Sequence, residues 1–309
     1  MIKTRFTFKD KRRKQYFEGW YVRVMDEANG FNTAYIFAIT KAKNDPHAFI
    51  QVFDGVKKVN RYERFALDTF QAEGDTVKIA NNHLSLEGIH VNLDGYEAAF
   101  DFTNHASLNV RSAMGFLSKL PLECYQEVVS QTYDVNGRVD TKEGMISIQG
   151  VGYMEKTYGR RFPKQWFWLQ ANRFSDDVQL TLAGGSVPTL FFKPFGFFCL
   201  IHVKGKPYVF GTYNRAKIIM SRHEESVIFH LKRRHISAVI EATIADPTCL
   251  VGPSDGGVMD LDVYETLSSH VSLKLYDNDQ LLYKGTSLSG GFEWMFEKLH
   301  GLKDKSRNA

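Results

Sequence analysis

Apolar and aromatic residues along this chain alternate with polar ones in short runs, and Gly, Asn or Asp closes most runs. Alternation with a period of two between turn residues predicts strands. Tyr16–Met25, Phe31–Lys41, Ala48–Asp54, Val59–Leu67 and Thr69–Glu73 are read this way, followed by Thr76–Ile79, His83–Glu87, His90–Leu93 and Tyr96–Thr103. The rhythm breaks over residues 104–123, which are read as a crossover between two halves. Strands resume at Glu123–Asp134, turn at Asn136-Gly137 and return through Gly144–Glu155. Gln165–Arg173, Val178–Ala183, Phe197–Val203, Lys206–Phe210, Asn214–Ser221, Ser226–Lys232 and His235–Ala245 follow, then Gly257–Thr266, Val271–Asp277 and Gln280–Ser289. After Gly290-Gly291 the spacing changes: Phe292, Met295, Phe296 and Leu299 recur as on one face of a helix.

Many short strands at even spacing, without alternating helical segments, predict an all-β chain of antiparallel barrels or sandwiches. Tyr16-Phe-Glu18-Gly-Trp-Tyr21 is echoed by Tyr153-Met-Glu155-Lys-Thr-Tyr158, each at the head of a run of strands. With the break at 104–123, the echo favours two similar barrels in tandem, residues 1–120 and 121–309, with a short C-terminal helix laid on the wall.

One stretch stands out from the rhythm. Between Gly152 and Phe174 a single carboxylate, Glu155, sits between Tyr153 and Tyr158, and Trp166 and Trp168 follow on alternate positions. Alternate strand positions share a face, so both indoles line one wall, with Gln170 and Asn172 continuing it. Amides without partners are costly to bury. The stretch therefore reads either as the lining of an apolar cavity with a few polar groups or as a core strand whose amides hold loops in place.

Composition narrows the classes. The formal charge of +4 over 309 residues hides an arm, residues 1–14, with seven basic side chains and one acid. That arm carries +6, leaving −2 on the body, so the basic face a nucleic-acid partner requires is missing. The arm is read as a solvated tail, with attraction to an anionic membrane surface as the minority reading. Cys124, Cys199 and Cys249 are too scattered for a disulfide framework or zinc site. His223, His230 and His235 lack metal spacing and are read as surface residues. No phosphate loop, nucleophile elbow or dinucleotide fingerprint appears, so no cofactor or metal is expected. No apolar run follows the basic residues, and a reducing cytoplasm is the expected compartment. Val187–Val203, rich in Phe but broken by Pro and Gly, is read as a flexible apolar lip that admits a lipid or touches a membrane peripherally.

Tyr16-Phe-Glu-Gly-Trp-Tyr21, Glu155-Lys-Thr-Tyr-Gly159, Phe162-Pro163, Trp166-Phe-Trp-Leu-Gln-Ala-Asn172, Ala183-Gly-Gly185, Glu241-Ala-Thr243 and Gly290-Gly291 together resemble the tocopherol cyclase family over nearly the whole chain. More distantly the chain is similar to the carotenoid 1,2-hydratase and AttH-like group. The resemblance implies two lipocalin-like barrels. It departs from the plant members in two ways: they carry a plastid transit segment, which is not expected of a bacterial chain, and they have Glu-Lys-Asn-Trp-Gly where this chain has Glu155-Lys-Thr-Tyr-Gly159, losing an indole beside the carboxylate.

The implied reaction is the acid-catalysed cyclisation of a prenylated quinol, or a related isoprenoid, to a chromanol. Such chemistry needs an acid aimed at an alkene, a dry slot and support for a tertiary cation. Burial keeps a carboxyl protonated, and each Trp or Tyr face steadies a cation by about 0.5–2 kcal/mol. Glu155 with Tyr153 is the catalytic candidate, since Tyr153-Met154-Glu155 aligns with the Tyr-x-Asp donor element of the hydratase group. Trp20, Tyr21, Tyr158, Trp166, Trp168, Gln170 and Asn172 are the expected substrate lining. Glu18 joins them as the second carboxylate, expected to be structural and to hold the first strand to the second barrel. Against catalysis stands an ion pair of Glu155 with Lys156, Arg160 or Arg161. The alternative function is a lipocalin-like protein that binds a lipophilic small molecule without converting it. A carboxyl reaching the cavity favours the enzyme, and a carboxylate tied to arginine favours the carrier.

Overall fold

The computed structural model describes residues 6–9, 14–106, 108, 112–186, 195–244 and 246–296. The first sheet contains β1 (Phe17–Asp26), β2 (Phe31–Thr40), β3 (His47–Asp54), β4 (Val59–Phe65), β5 (Phe70–Glu73), β6 (Thr76–Ile79), β7 (Asn82–Ser85), β8 (Gly88–Leu93), β9 (Tyr96–Thr103), β10 (Cys124–Thr141) and β11 (Gly144–Gly159). The second contains β12 (Trp166–Ala171), β13 (Val178–Ser186), β14 (Phe195–Val203), β15 (Lys206–Gly211), β16 (Lys217–Arg222), β17 (Ser226–Arg233), β18 (Ile236–Thr243), β19 (Thr248–Pro253), β20 (Met259–Asp277) and β21 (Gln280–Trp294). Pairing is antiparallel throughout, and each sheet curls so that its first strand lies against its last, β1 on β11 and β12 on β21. The two sheets share one wiring, a four-strand meander on one side of that junction and the remaining strands on the other. The all-β, two-barrel expectation holds.

Several boundaries differ from the sequence reading. Asn136-Gly137 is not a turn: it lies inside β10, where Gly137 faces Phe100 and Ile148. Glycine is required there by packing, because a Cβ would sit 2.0 Å from the Ala99 carbonyl oxygen. The chain reverses instead at Lys142–Glu143. Since β10 and β11 complete the first sheet, the chain passes between sheets after Gly159, not at the break near 105–125. The echoed motifs do not open two barrels. They pair with one another on β1 and β11, with Tyr21 opposite Glu155 and Glu18 opposite Tyr158. Among the described residues no helix follows Gly290-Gly291: Phe292–Trp294 continue β21 and pair with β12, and Leu299 lies outside the described residues. β19 was not legible: its Gly252-Pro253 end looks like a turn, yet it pairs with β20. It also reaches the first sheet, where Val251 N donates to Gln51 Oε1 and Asn60 Nδ2 to the Cys249 carbonyl.

The expected apolar lip is also revised. Phe195–Val203 form β14, with Phe197 and Phe198 buried, while residues 187–194 lie outside the described set. No helix among the described residues is long and apolar enough to cross a membrane.

Strand parity sorts the interior into three layers. Trp20, Val22, Val24 and Met154 point into the first barrel, and Phe167, Leu169 and Ala171 into the second. The opposite faces of β1, β11 and β12 meet in a seam between the barrels. Tyr21, Tyr153, Trp168, Ala183 and Phe198 form one apolar cluster there. Polar groups hold the seam together. The fully buried Arg23 donates to Gln170 Oε1 of β12, to the Leu267 carbonyl of β20, to the Ser289 carbonyl of β21 and to Asn32 Oδ1 of β2. Gly291 makes room for it, since a Cβ there would be 3.2 Å from the guanidinium. Removing Arg23 leaves four oxygens without that donor. The expected result of Arg23→Met is a loss of about 3–5 kcal/mol, the range for breaking a buried charged network. Urea unfolding of both proteins checks it, and a loss below about 1 kcal/mol would show that the clamp is dispensable.

Candidate functional site

The strand reading placed Glu155 beside large aromatics, and the register explains how it gets there. Tyr153, Glu155 and Thr157 of β11 face the second sheet, whereas Met154 and Lys156 face the first barrel. On β12 Trp166 and Trp168 face back toward them. Between these strands lies a cavity of about 200 Å³, roofed by Leu117 and Leu120 of the 3₁₀ turn at Gly115–Lys119 and floored by Gly184, Gly185 and Gly196 of β13 and β14. Glu155 and Glu293 are the carboxylates that line it, in walls that are otherwise mainly apolar.

Glu155 is 6% exposed and anchored on three sides. Tyr153 Oη donates to its Oε2 at 2.5 Å, Trp168 Nε1 to Oε2 at 2.9 Å, and Gln126 Nε2 lies 2.9 Å from both oxygens. Burial raises the carboxyl pKa, and the three donors oppose that rise without cancelling it. Oε2 is taken by Tyr153 and Trp168, while Oε1 meets Gln126 alone. Oε1 therefore has more room for a proton than Oε2. Behind Tyr153 the hydroxyl of Thr181 donates to its oxygen. Thr181 is itself engaged by Gln131 Nε2 at 3.0 Å, and Gln131 Oε1 meets His202 Nδ1 at 2.6 Å. This chain keeps the Tyr153 hydrogen pointed at Glu155.

The cations weighed as partners of Glu155 are all engaged elsewhere. Lys156 pairs with Glu18 at 3.1 Å inside the first barrel, Arg160 with Asp255, and Arg161 with Glu123. Gln126 on β10 was not foreseen as the third anchor. The β10–β11 register brings it there, with Gln126 opposite Thr157.

The other candidates divide by location. Trp166 and Trp168 line the cavity, and Tyr21 lies behind Trp168 with rings 5.3 Å apart. Gln170 and Asn172 share their face but clamp the seam: Gln170 accepts from Arg23, and Asn172 donates to the Gln131 and Gly152 carbonyls. Trp20 belongs to the first-barrel core, its Nε1 on the Phe6 carbonyl. Tyr158 stacks on Tyr125 and donates to Glu127, away from the cavity. Glu18 is fully buried against Lys156, Tyr16 and the Lys9 amide, so it binds β1 to β11 and the N-terminal segment rather than to the second barrel. Its pKa is raised, burial outweighing the lysine.

Two carboxylates went unnoticed in the sequence. Glu265 and Glu293 face one another across β20 and β21. Trp166 Nε1 donates to Glu293 at 2.5 Å, and Tyr21 Oη to Glu265 at 2.6 Å. Burial raises both pKa values, Glu293 to about 7 and Glu265 well above its usual range, and the charge of Glu155 adds to each rise. Cys124 also lines the cavity, but burial and Glu155 push its thiol up to about 12, so it is no thiolate nucleophile at neutral pH. Among the described residues no group of three His, Cys, Asp or Glu is placed to hold a metal ion, and His223, His230 and His235 are exposed.

Comparison with known proteins agrees with this architecture. A structure from Nitrosomonas europaea described as AttH superposes with a TM-score of 0.57 at 14% identity, over 91% of this chain and 93% of that one. Kievitone hydratase from Nectria haematococca superposes with a TM-score of 0.52 at 11% identity, covering 90% of this chain and 88% of its own. At such identities the likeness speaks for the fold alone. No curated protein matches by sequence. The family model described as tocopherol cyclase-like matches residues 95–294, which takes in β10, β11, all of the second sheet and every carboxylate of the seam. The chain belongs to the tocopherol cyclase-like family.

Proposed function

We propose that this protein is an acid catalyst that protonates an alkene of a prenylated quinol or related isoprenoid, and that Glu155 is the donor. The observation that carries the reading is a buried carboxyl whose pKa burial raises, paired with no cation among the described residues, in the lining of a mainly apolar cavity walled by indoles. A carrier has no need of a buried acid, which is expensive to desolvate. In the proposed reaction the Oε1–H bond breaks, a C–H bond forms on the alkene, and the tertiary cation left behind faces Trp166 and Trp168. The phenol oxygen then closes the ring and its proton leaves, so the product is an isomer of the substrate.

The cavity suits part of such a ligand. About 200 Å³ lies below the roughly 300–1,000 Å³ of pockets that enclose a drug-sized molecule, so a ring and a prenyl unit enter while a long tail stays outside.

Three variants test this. Glu155→Gln retains the shape and accepting oxygen but has no acidic proton, and its expected turnover of a prenylated hydroquinone is down by about 10²–10⁴, the usual share of general acid catalysis. Wild-type turnover in that variant would move the acid elsewhere. Glu18→Gln strands the buried Lys156 cation, so unfolding free energy should fall by about 3–5 kcal/mol with the chemistry of the folded fraction retained. Gly196→Leu probes the cavity itself. A Cβ at Gly196 meets nothing nearer than Leu117 at 3.9 Å, so the larger side chain has room to grow into the cavity. Quinol affinity measured by calorimetry should drop tenfold or more while the Glu155 hydrogen bonds persist.

A further inference from the structure

We propose that Glu293 is the basic partner of Glu155, the group that takes the phenol (or water) proton after the cation forms. The inference rests on the acid role just proposed for Glu155. Its basis is geometric. Trp166 and Trp168, two residues apart on β12, each hold one carboxylate by an indole N–H, Glu293 at 2.5 Å and Glu155 at 2.9 Å. Both carboxylates line the same cavity from opposite sheets, Glu155 from β11 and Glu293 from β21. A substrate between the two indoles meets an acid at one end and a second carboxylate at the other.

Two carboxyls with distinct surroundings divide the labour of an acid and a base. Glu155 has three donors and no neighbouring cation. Glu293 faces Glu265 of β20, whose hydroxyl partner is Tyr21 of β1 and whose charge is eased by Arg23 of the same strand. The charge of Glu155 pushes Glu293 toward its neutral form, and ionising either disfavours ionising the other. One proton shared between the two is what the cycle requires, with Glu155 holding it at the start. In the cycle Glu155 gives that proton to carbon, the C–O bond forms, and the O–H bond breaks with its proton passing to Glu293. Return of the proton from Glu293 to Glu155 restores the start. Nothing is oxidised or reduced.

The test uses the full chain and a hydroquinone bearing an ortho prenyl group. Glu293→Gln retains the oxygen that accepts from Trp166. Its kcat should fall at least a hundredfold with KM within about threefold, and the limb of the pH profile that rises as Glu293 ionises should vanish. Glu293→Asp, which retains a carboxylate, should recover part of the rate. If Glu155→Gln is inactive while Glu293→Gln stays within twofold of wild type at every pH, the base role is overturned and the acid role survives. If Glu155→Gln turns over normally, the acid role itself falls, and this inference with it. Infrared titration of the carboxyl bands reads the pairing without substrate. Glu293→Gln removes the negative charge that Glu155 meets as it ionises, so the Glu155 step should move to lower pH. An unmoved step overturns the pairing.

Discussion

The arrangement depends on a buried guanidinium. Arg23 reaches from the first sheet to β12, β20 and β21 of the second, and without such a tie two closed barrels have little reason to keep one relative orientation. Each of its partners is a neutral oxygen, so the cation is solvated by the protein rather than neutralised by a salt bridge. Desolvation lowers its pKa, and only Tyr21 and Glu265 counter that shift. The neighbourhood therefore carries a positive charge that eases the ionisation of Glu265, whose carboxyl faces Glu293. Clamp and site belong to the same electrostatic unit.

The seam also explains why the cavity lies between the barrels. Each barrel interior is filled, the first by Trp20, Phe37 and their neighbours, the second by Phe167, Leu169 and Phe229. Phe6, beneath Trp20, and the Thr7 carbonyl, which takes the Lys156 ammonium, close the first barrel further. What remains hollow is the layer where β11 and β12 turn their outer faces to each other. Glycines at 184, 185 and 196 keep that layer open, and the bulky rings of Trp166 and Trp168 exclude water from it. A carboxyl in such a layer stays protonated at pH values where a surface glutamate has ionised.

Much of this was legible beforehand. Period-two alternation identified nearly every strand, because an antiparallel strand with one face in a core must alternate. The same rule put Trp166 and Trp168 on one wall and singled out Glu155 as the carboxylate beside them. Misreadings came where a local signal had a nonlocal cause. Asn136-Gly137 has the composition of a turn, but its glycine answers to the Ala99 carbonyl on a neighbouring strand. No strand was read at β19, which ends at Gly252-Pro253 and ties the two sheets together. The period of Phe292, Met295 and Phe296 suited a helix, yet the strand pairing of β21 with β12 prevailed over Phe292–Trp294.

By itself the sequence determined the all-β class, the parity of the aromatic wall and the acid that stands in it, since all three follow from neighbours along one strand. Tertiary structure decided which groups complete the site. Gln126 lies 29 positions from Glu155, and Glu293 lies 127 from the Trp166 that holds it. Whether Glu155 met an arginine or a tyrosine was likewise undetermined by spacing, as Tyr153, Lys156, Arg160 and Arg161 all lie within six residues of it. Parity turned Lys156 into the first barrel, and surface acids took both arginines. Electrostatics in a folded chain depends on distance and burial, and neither is a function of position along the sequence.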